Sequence, residues 1–314
     1  MKKYPKIAKV TLFAFVGLMS ISSCEKDSTD ESQPSTITSQ VVASPDLSTL
    51  ESAVIKADLA ATLEGTGPFT VFAPTNDAFA ASGITSAVVG SLTPDQLKKI
   101  LLYHTLGSKV MAANVPAGPN ASVTTAGGDS IFVTNNANGV FVNGIKVASA
   151  DIAASNGVIH TLPRVLLPPA GNLVQVASAD TTFSYLVAAV VRASTGAANV
   201  AAVLSANNIL TVFAPTNNAF RAAGFATINA INAADPNVLI GILTYHVVPG
   251  RVFSSDLVNG AQPGTANGKK VTIGITEAGA TVKGNTNTAA SNIIAANIMA
   301  TNGVIHVIDR VLLP

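Results

Sequence analysis

Four histidines in this 314-residue chain fall into two matching pairs, His104 with His246 and His160 with His306. A metal centre needs several converging ligands at characteristic spacing, with thiolates or carboxylates beside the imidazoles. The chain has no HExxH and no His-x-His, and its one cysteine, Cys24, is remote in sequence from all four. A histidine on an apolar face more often bonds a backbone group and fixes packing, so no metal and no cofactor is expected. Nucleophilic chemistry fares no better: Ser and Thr are abundant, but no G-x-S-x-G elbow is present. Glu64, Asp77, Asp95, Asp129 and Asp151 mostly meet non-acidic residues in the matching later stretch. No carboxylate pair therefore recurs for general acid–base hydrolysis, and the chain is read as not an enzyme.

Composition narrows the partners. Charged residues make up 11 % of the chain and the formal net charge is +1. Phosphate binding needs clustered Lys and Arg, so nucleic acid is not an expected partner. Hydrophobic residues reach 48 %, enough for sizeable cores, while Trp is absent and aromatics are 5 %. The lack of Trp removes a common flat platform for sugar rings.

The N-terminus reads as an address. Lys2, Lys3, Lys6 and Lys9 precede the apolar run VTLFAFVGLMSI at 10–21. A spanning helix needs about 20 apolar residues, so 1–23 reads as a signal peptide. The following ISSC resembles a bacterial lipobox, which implies cleavage before Cys24 and its lipidation. A single cysteine leaves no intrachain disulfide. The polar, acidic stretch through residue 40 lacks apolar periodicity, so 24–40 reads as a lipidated, disordered tether. Its opening CEKDS resembles the acidic post-cysteine signal of Bacteroidetes-type surface lipoproteins. That implies a lipid-anchored outer-membrane protein at the cell surface, with the periplasmic face as the alternative.

The elements that would position these residues occur twice. FTVFAPTNDAF at 69–79 recurs as LTVFAPTNNAF at 210–220, and LLYHTLGSKV at 101–110 as LTYHVVPGRV at 243–252. NGVIHTLPRVLLP at 156–168 recurs as NGVIHVIDRVLLP at 302–314. A period of about 140 residues is that of a domain, giving units at 41–168 and 172–314 joined by PPAGN. Each begins with an amphipathic helix: Leu47, Leu50, Val54 and Ile55 on one face in the first, Phe183, Leu186, Val187, Val190 and Val191 in the second, capped by Thr182. A short helix (DLAATL or NVAAVL) leads into the strand TVFAP. Thr75 and Thr216 are expected to cap the next helix, with Asn76 and Asn217 beside them and Asp77 suiting its positive end. T-P-D opens a further helix at Pro94, with Leu97, Ile100, Leu101 and His104 on one face. SIFVT-NNANG-VFVNGIKV and KVTIGIT-EAG-ATVKG read as hairpins. The Asn-Gly of the closing block is expected to supply positive φ before a strand that places Val304, His306 and Ile308 on one side and Ile305 and Val307 on the other. Helices come early and strands late, so the fold class is α+β with a largely antiparallel sheet pair.

The two TVFAPTN boxes, the Tyr103–His104 and Tyr245–His246 pairs and the two NGVIH blocks together resemble the fasciclin domain family, across essentially all of the chain after the tether. The resemblance implies two tandem domains, each a wedge-shaped antiparallel β-sandwich with helices packed at one end. It makes Thr75, Asn76, His160, Thr216, Asn217 and His306 fold-defining. It also implies extracellular adhesion to matrix, polymers or other cells. Candidate contacts carried over from the family are the two Tyr-His pairs, Asp151–Ile152 and the matching Asn297–Ile298. For the Tyr-His pairs, a helix-end packing role stands beside the adhesion role. Pro163 departs from the family's Asp, which Asp309 retains; nearness of residue 163 to the junction of the two units is one explanation. The expected function is a non-enzymatic, monomeric or weakly associating surface lipoprotein that binds an extracellular protein or polysaccharide. The alternative is carbohydrate capture serving polysaccharide uptake.

Overall fold

The computed structural model describes residues 35–314, and the sequence duplication becomes two similar halves. Cys24, the signal segment and the tether up to residue 34 lie outside the described residues. In the first half the helices are α1 (Ile37–Ala43), α2 (Ser48–Lys56), α3 (Ala60–Glu64), α4 (Asn76–Ala81), α5 (Ser86–Ser91) and α6 (Pro94–Tyr103). Its strands are β1 (Phe69–Pro74), β2 (Thr105–Leu106), β3 (Gly118–Thr124), β4 (Ser130–Asn136), β5 (Gly139–Val142), β6 (Ile145–Lys146), β7 (Ser149–Ala154) and β8 (Gly157–Leu162). The second half repeats the order with α7 (Leu173–Ala179), α8 (Ser184–Ala193), α9 (Val200–Ser205), α10 (Asn217–Ala222), α11 (Ile228–Ala233) and α12 (Pro236–Tyr245). Its strands are β9 (Leu210–Pro215), β10 (Val247–Pro249), β11 (Thr272–Thr276), β12 (Gly279–Lys283), β13 (Ser291–Ala300) and β14 (Gly303–Ile308). Both halves lie in one compact unit, and among the described residues no single helix is long and apolar enough to cross a membrane.

Alternation along the central strands builds three layers. Val71, Ala73 and Ile159 face the helices, whereas Phe72 and Leu162 face Ile131, Val133 and Val142 of the outer hairpin. The second half repeats this: Val212, Ala214, Ile305 and Val307 meet the helices, Phe213 and Ile308 meet Val271, Ile273 and Val282. A strand sandwiched on both faces is apolar throughout, and β14 is buried at every position.

The sheets are largely antiparallel, as the sequence order suggested, but the central pair of each half is parallel. β1 runs parallel to β8, pairing Thr70 with Val158, and β9 runs parallel to β14, pairing Thr211 with Val304. Helices and hairpins separate the two strands of each pair, so the chain has room for the crossover that parallel pairing requires. Flanking pairings, β1 with β2 and β7 with β8, are antiparallel.

Local signals act largely where their chemistry placed them. Thr75 and Thr216 accept from the amides of Ala78 and Ala219, each an N-cap of the kind worth about 1 kcal/mol. Thr93 and Gln96 form a reciprocal capping box with Pro94 at the first helical position. Asn76 reaches back to α2: its Oδ1 accepts from Thr49 N at 2.9 Å and its Nδ2 donates to the Pro45 carbonyl at 2.9 Å. Asn217 repeats this between Tyr185 N (3.0 Å) and the Thr181 carbonyl (2.9 Å), locking two helices together.

Four expectations are corrected. Residues 37–40, read as the end of the tether, form the first turn of α1, because Ile37 is wholly buried in the first core. Thr182 does not cap α8: it lies in a 3-10 turn (Thr181–Phe183) capped by Asp180, and α8 starts at Ser184. Ile55 and the matching Val191 are 63 % and 62 % exposed, because Ala53 and Ala189 take the inward positions. Finally, neither Asn-Gly pair adopts positive φ. A Cβ on Gly157 would lie 2.2 Å from the Phe69 carbonyl oxygen, and on Gly303 2.1 Å from that of Leu210. Glycine is required there for close approach of parallel strands.

Pro163 and Asp309 divide the halves. The Asp309 carboxylate accepts from Asn292 N at 2.8 Å, Asn292 Nδ2 at 2.7 Å and Ser291 Oγ at 3.0 Å. Burial would raise that carboxyl's pKa, but these bonds and Arg310 bring it below the ordinary value. The Asp309 amide also donates to the Asn292 carbonyl, so β13 runs unbroken and joins a six-stranded sheet, β10-β9-β14-β13-β12-β11. Pro163 has neither amide proton nor carboxylate. There the chain breaks between β6 and β7, and the strands separate into β2-β1-β8-β7 and β3-β4-β5-β6. The side chains that meet across the two halves include Asn120, Phe132, Arg251 and Phe253.

Candidate functional site

The Tyr-His pairs end α6 and α12, and both sit inside. Tyr103 is 1 % exposed and Tyr245 0 %. The Tyr103 hydroxyl donates to the Ser130 carbonyl and accepts from Asn143 Nδ2, both at 3.0 Å. Burial pushes its pKa up to about 12. The Tyr245 hydroxyl donates to the Lys270 carbonyl at 2.6 Å and accepts from Asn285 N at 2.9 Å, and burial likewise raises it. Each tyrosine thus ties a helix end to the outer hairpin, and a partner could touch it only after rearrangement.

The histidine beside it clips the chain's next pass. His104 Nδ1 donates to the Ile100 carbonyl and its Nε2 accepts from Leu166 N, both at 2.8 Å. His246 bonds the Ile242 carbonyl and Leu312 N in the same way, also at 2.8 Å. A carbonyl left open at the helix end and an amide beyond the last strand are satisfied by one ring. Burial lowers both imidazoles to about 4, partly offset by the bond to the carbonyl. They are neutral at pH 7, as an accepting Nε2 demands.

His160 and His306 stand on the central strands and stack on Phe72 and Phe213, with centroids 5.5 and 5.6 Å apart. His160 Nε2 donates to the Val110 carbonyl at 2.9 Å and its Nδ1 accepts from Asp151 N at 3.1 Å. His306 Nε2 donates to the Val252 carbonyl at 2.8 Å, but its Nδ1 has no partner among the described residues. Burial lowers the His306 pKa. Among the described residues no group of three or more His, Cys, Asp or Glu could hold a metal ion.

Asp151 and Asn297 occupy matching bulges with φ of 60° and 65°. Asp151 accepts from Ala112 N and Asn297 from Ser254 N, each at 2.8 Å, so each holds a 3-10 turn, Ala112–Asn114 or Ser254–Asp256. An amide serves as well as a carboxylate because one acceptor oxygen does the work. Ile152 is exposed, whereas Ile298 packs on the second core.

The surroundings of the two bulges differ. Asn297 lies in a seam between the halves. Asn120 Nδ2 donates to the Arg251 carbonyl and to Asp256 Oδ2, both at 2.9 Å. The Arg251 guanidinium covers the Phe132 ring at 4.3 Å, and Phe132 meets Phe253 at 6.0 Å between centroids. Gly144, with φ +74°, fits against Phe253 and Asn297, where a Cβ would come within 2.7 Å of both side chains. On the matching face of the first half Lys109 and Asn114 are exposed, and Met111 and Asp151 are half-buried.

Sequence reasoning missed this seam, since nothing in one strand shows which ring will meet another. It also missed the task of Asn156 and Asn302. Asn156 Oδ1 accepts from Ile37 N at 3.0 Å, and its Nδ2 donates to the Leu63 and Gly65 carbonyls at 2.7 and 2.8 Å. Asn302 does the same for Leu173 N, Leu204 O and Ala206 O. Their recurrence in NGVIH was the available signal, read as turn chemistry instead.

Two helix-covered β-sandwiches in tandem, with their reactive side chains turned into backbone clamps, define a class of modular domain-pair proteins. The fasciclin domain model matches residues 45–168 and 181–314, so the chain belongs to the fasciclin domain family and carries the domain twice. Helices α1 and α7 precede the matched segments yet pack into the cores. Protein sll1483 of Synechocystis sp. is 39 % identical over 165 residues, covering 49 % of this chain and 90 % of that one. Transforming growth factor-beta-induced protein ig-h3 of Sus scrofa is 30 % identical over 256 residues, 80 % of this chain and 35 % of that one. Periostin of Homo sapiens is 28 % identical over 279 residues, 87 % and 30 % respectively. The chain thus spans about a third of the length of ig-h3 and periostin. A solved FAS1 domain pair from the insect cell adhesion molecule fasciclin I aligns over 88 % of this chain and 96 % of its own, at 18 % identity and a TM-score of 0.42.

Proposed function

We propose that the chain is a non-enzymatic binding protein of the adhesion type. A lipid on Cys24 holds it to the outer membrane, and its two domains face matrix, polymers or other cells. The observation that carries this reading is that all four histidines and both helix-end tyrosines are committed to backbone hydrogen bonds inside two family domains. The residues best suited to chemistry hold the scaffold, which leaves its outer faces for recognition. Two domains in one chain raise avidity without strong single sites.

The test is to produce the full chain and its Cys24→Ser variant in a non-adherent bacterial host. Intact cells are shaved with protease and scored for adhesion to matrix-coated surfaces. The expected result is loss of the wild-type chain on shaving and adhesion above the variant's level. Full protection from protease, or equal adhesion by the two strains, contradicts the proposal.

A further inference from the structure

The helices of the second half leave a cavity of about 120 Å³ over the sheet. Its deep end is formed by buried Ala214, Leu243 and His246, and its walls include Ala177, Val190 and Leu204. Its outer end reaches exposed Ser178 and Val191. Both ring nitrogens of His246 are already engaged, with Ile242 O and Leu312 N. The deep end therefore offers a ligand no free polar atom from that ring. Apolar cavities of about 150 Å³ in proteins stay dry and take up small hydrocarbons.

The other half shows how the space arises. α1 and α7 align from Ile37 and Leu173, so Val41 stands where the second half has Ala177, and Glu51 where it has Val187. Val41 is buried in the first core, its branched side chain at the position that Ala177 leaves short. Glu51 puts a carboxylate at the position where Val187 lines the cavity. The second half is thus opened and stripped of charge at two matched positions.

We infer that this cavity is a binding site for a soluble amphiphile with one unbranched alkyl chain. The walls are aliphatic and give a ring no aromatic face to stack on. One end is buried and the other open to water, so the chain enters between α7, α8 and α9 while its polar head stays outside near Ser178.

The test is a methyl NMR titration of the detergent-free full chain with octanoate. Saturable shifts are expected at Val190, Leu204, Val212 and Leu243, but not at their counterparts Val54, Leu63, Val71 and Leu101. Ala177→Val should weaken binding at least ten-fold with methyl dispersion retained. Val41→Ala should make the first-half methyls respond, which keeps the test decisive if the first variant folds poorly. No shift at millimolar octanoate, equal shifts in both wild-type halves, or unchanged binding in Ala177→Val would overturn the assignment. A response to phospholipid vesicles but not to octanoate would also overturn it, giving this face to a membrane instead.

Discussion

The two halves share three pairs of buried polar residues that make the same bonds, yet they differ at the positions that meet across the seam. His104 and His246, Tyr103 and Tyr245, and Asn156 and Asn302 each make matching contacts. By contrast, Phe132 has Thr272 as its counterpart in the second hairpin, Asn120 has Gly260, and Phe253 has Met111 in the first half. Duplication has kept the internal frame and released the faces. The seam that results is heterologous, a hairpin face of one half against a loop face of the other. Neither free end repeats its partner's aromatic residue, so the contact is not set to propagate from copy to copy.

The comparison breaks first under acid. His104 and His246 have ordinary unfolded values near 6.5 and folded values of about 4. Below pH 6.5 the unfolded chain binds protons that the native state refuses, so stability falls between pH 6.5 and about 4 and is level above that window. The loss is about 3 kcal/mol for each histidine. Denaturant melts from pH 7 to 4 should show it, and in His246→Gln the loss should shrink by about 3 kcal/mol, that histidine's share.

Next in size are Gly157→Ala and Gly303→Ala. Each forces a methyl to within 2.2 or 2.1 Å of a backbone oxygen in a parallel pair. Each should cost about 3 kcal/mol or more, with similar losses in the two halves. Unequal losses would show that the frame is not shared.

Phe132→Ala acts only on the seam, where it removes the ring under Arg251 and Phe253. A cost of about 2 kcal/mol is expected, with one calorimetric transition separating into two. Thr272→Phe on the vacant counterpart should change stability by less than about 0.5 kcal/mol.

The smallest effect is expected from Asp309→Pro, which copies the first half into the second. It removes the bonds to Asn292 and Ser291 and should cost about 1 kcal/mol, seen as faster hydrogen exchange at Asn292.

Much of this frame was legible in the sequence and most of the faces were not. Caps at Thr75, Thr93 and Thr216 depend on local backbone geometry, so their spacing announced them. The hairpins at Asn136–Gly139 and Thr276–Gly279 were likewise local. Parallel pairing of β1 with β8 was hidden because both strands are apolar on both sides, which is compatible with either direction. The Asn-Gly pairs misled because the same dipeptide serves turns and close approach. The 3–4 pattern places Val191 inward because it cannot show that Ala189, two residues earlier, already fills the contact. The seam and the cavity depend on pairs such as Phe132 with Phe253, or on what Ala177 lacks, and neither leaves a periodic trace.

The central claim is that the recurrent histidines are structural clamps, each fixed by a backbone carbonyl, and long-range ¹⁵N–¹H NMR across a pH titration tests it most directly. His104 and His246 should carry the proton on Nδ1 and titrate near 4. His160 and His306 should carry it on Nε2, opposite their carbonyl partners. Titration of His104 and His246 near 6.5, or one common tautomer for all four rings, would contradict the account.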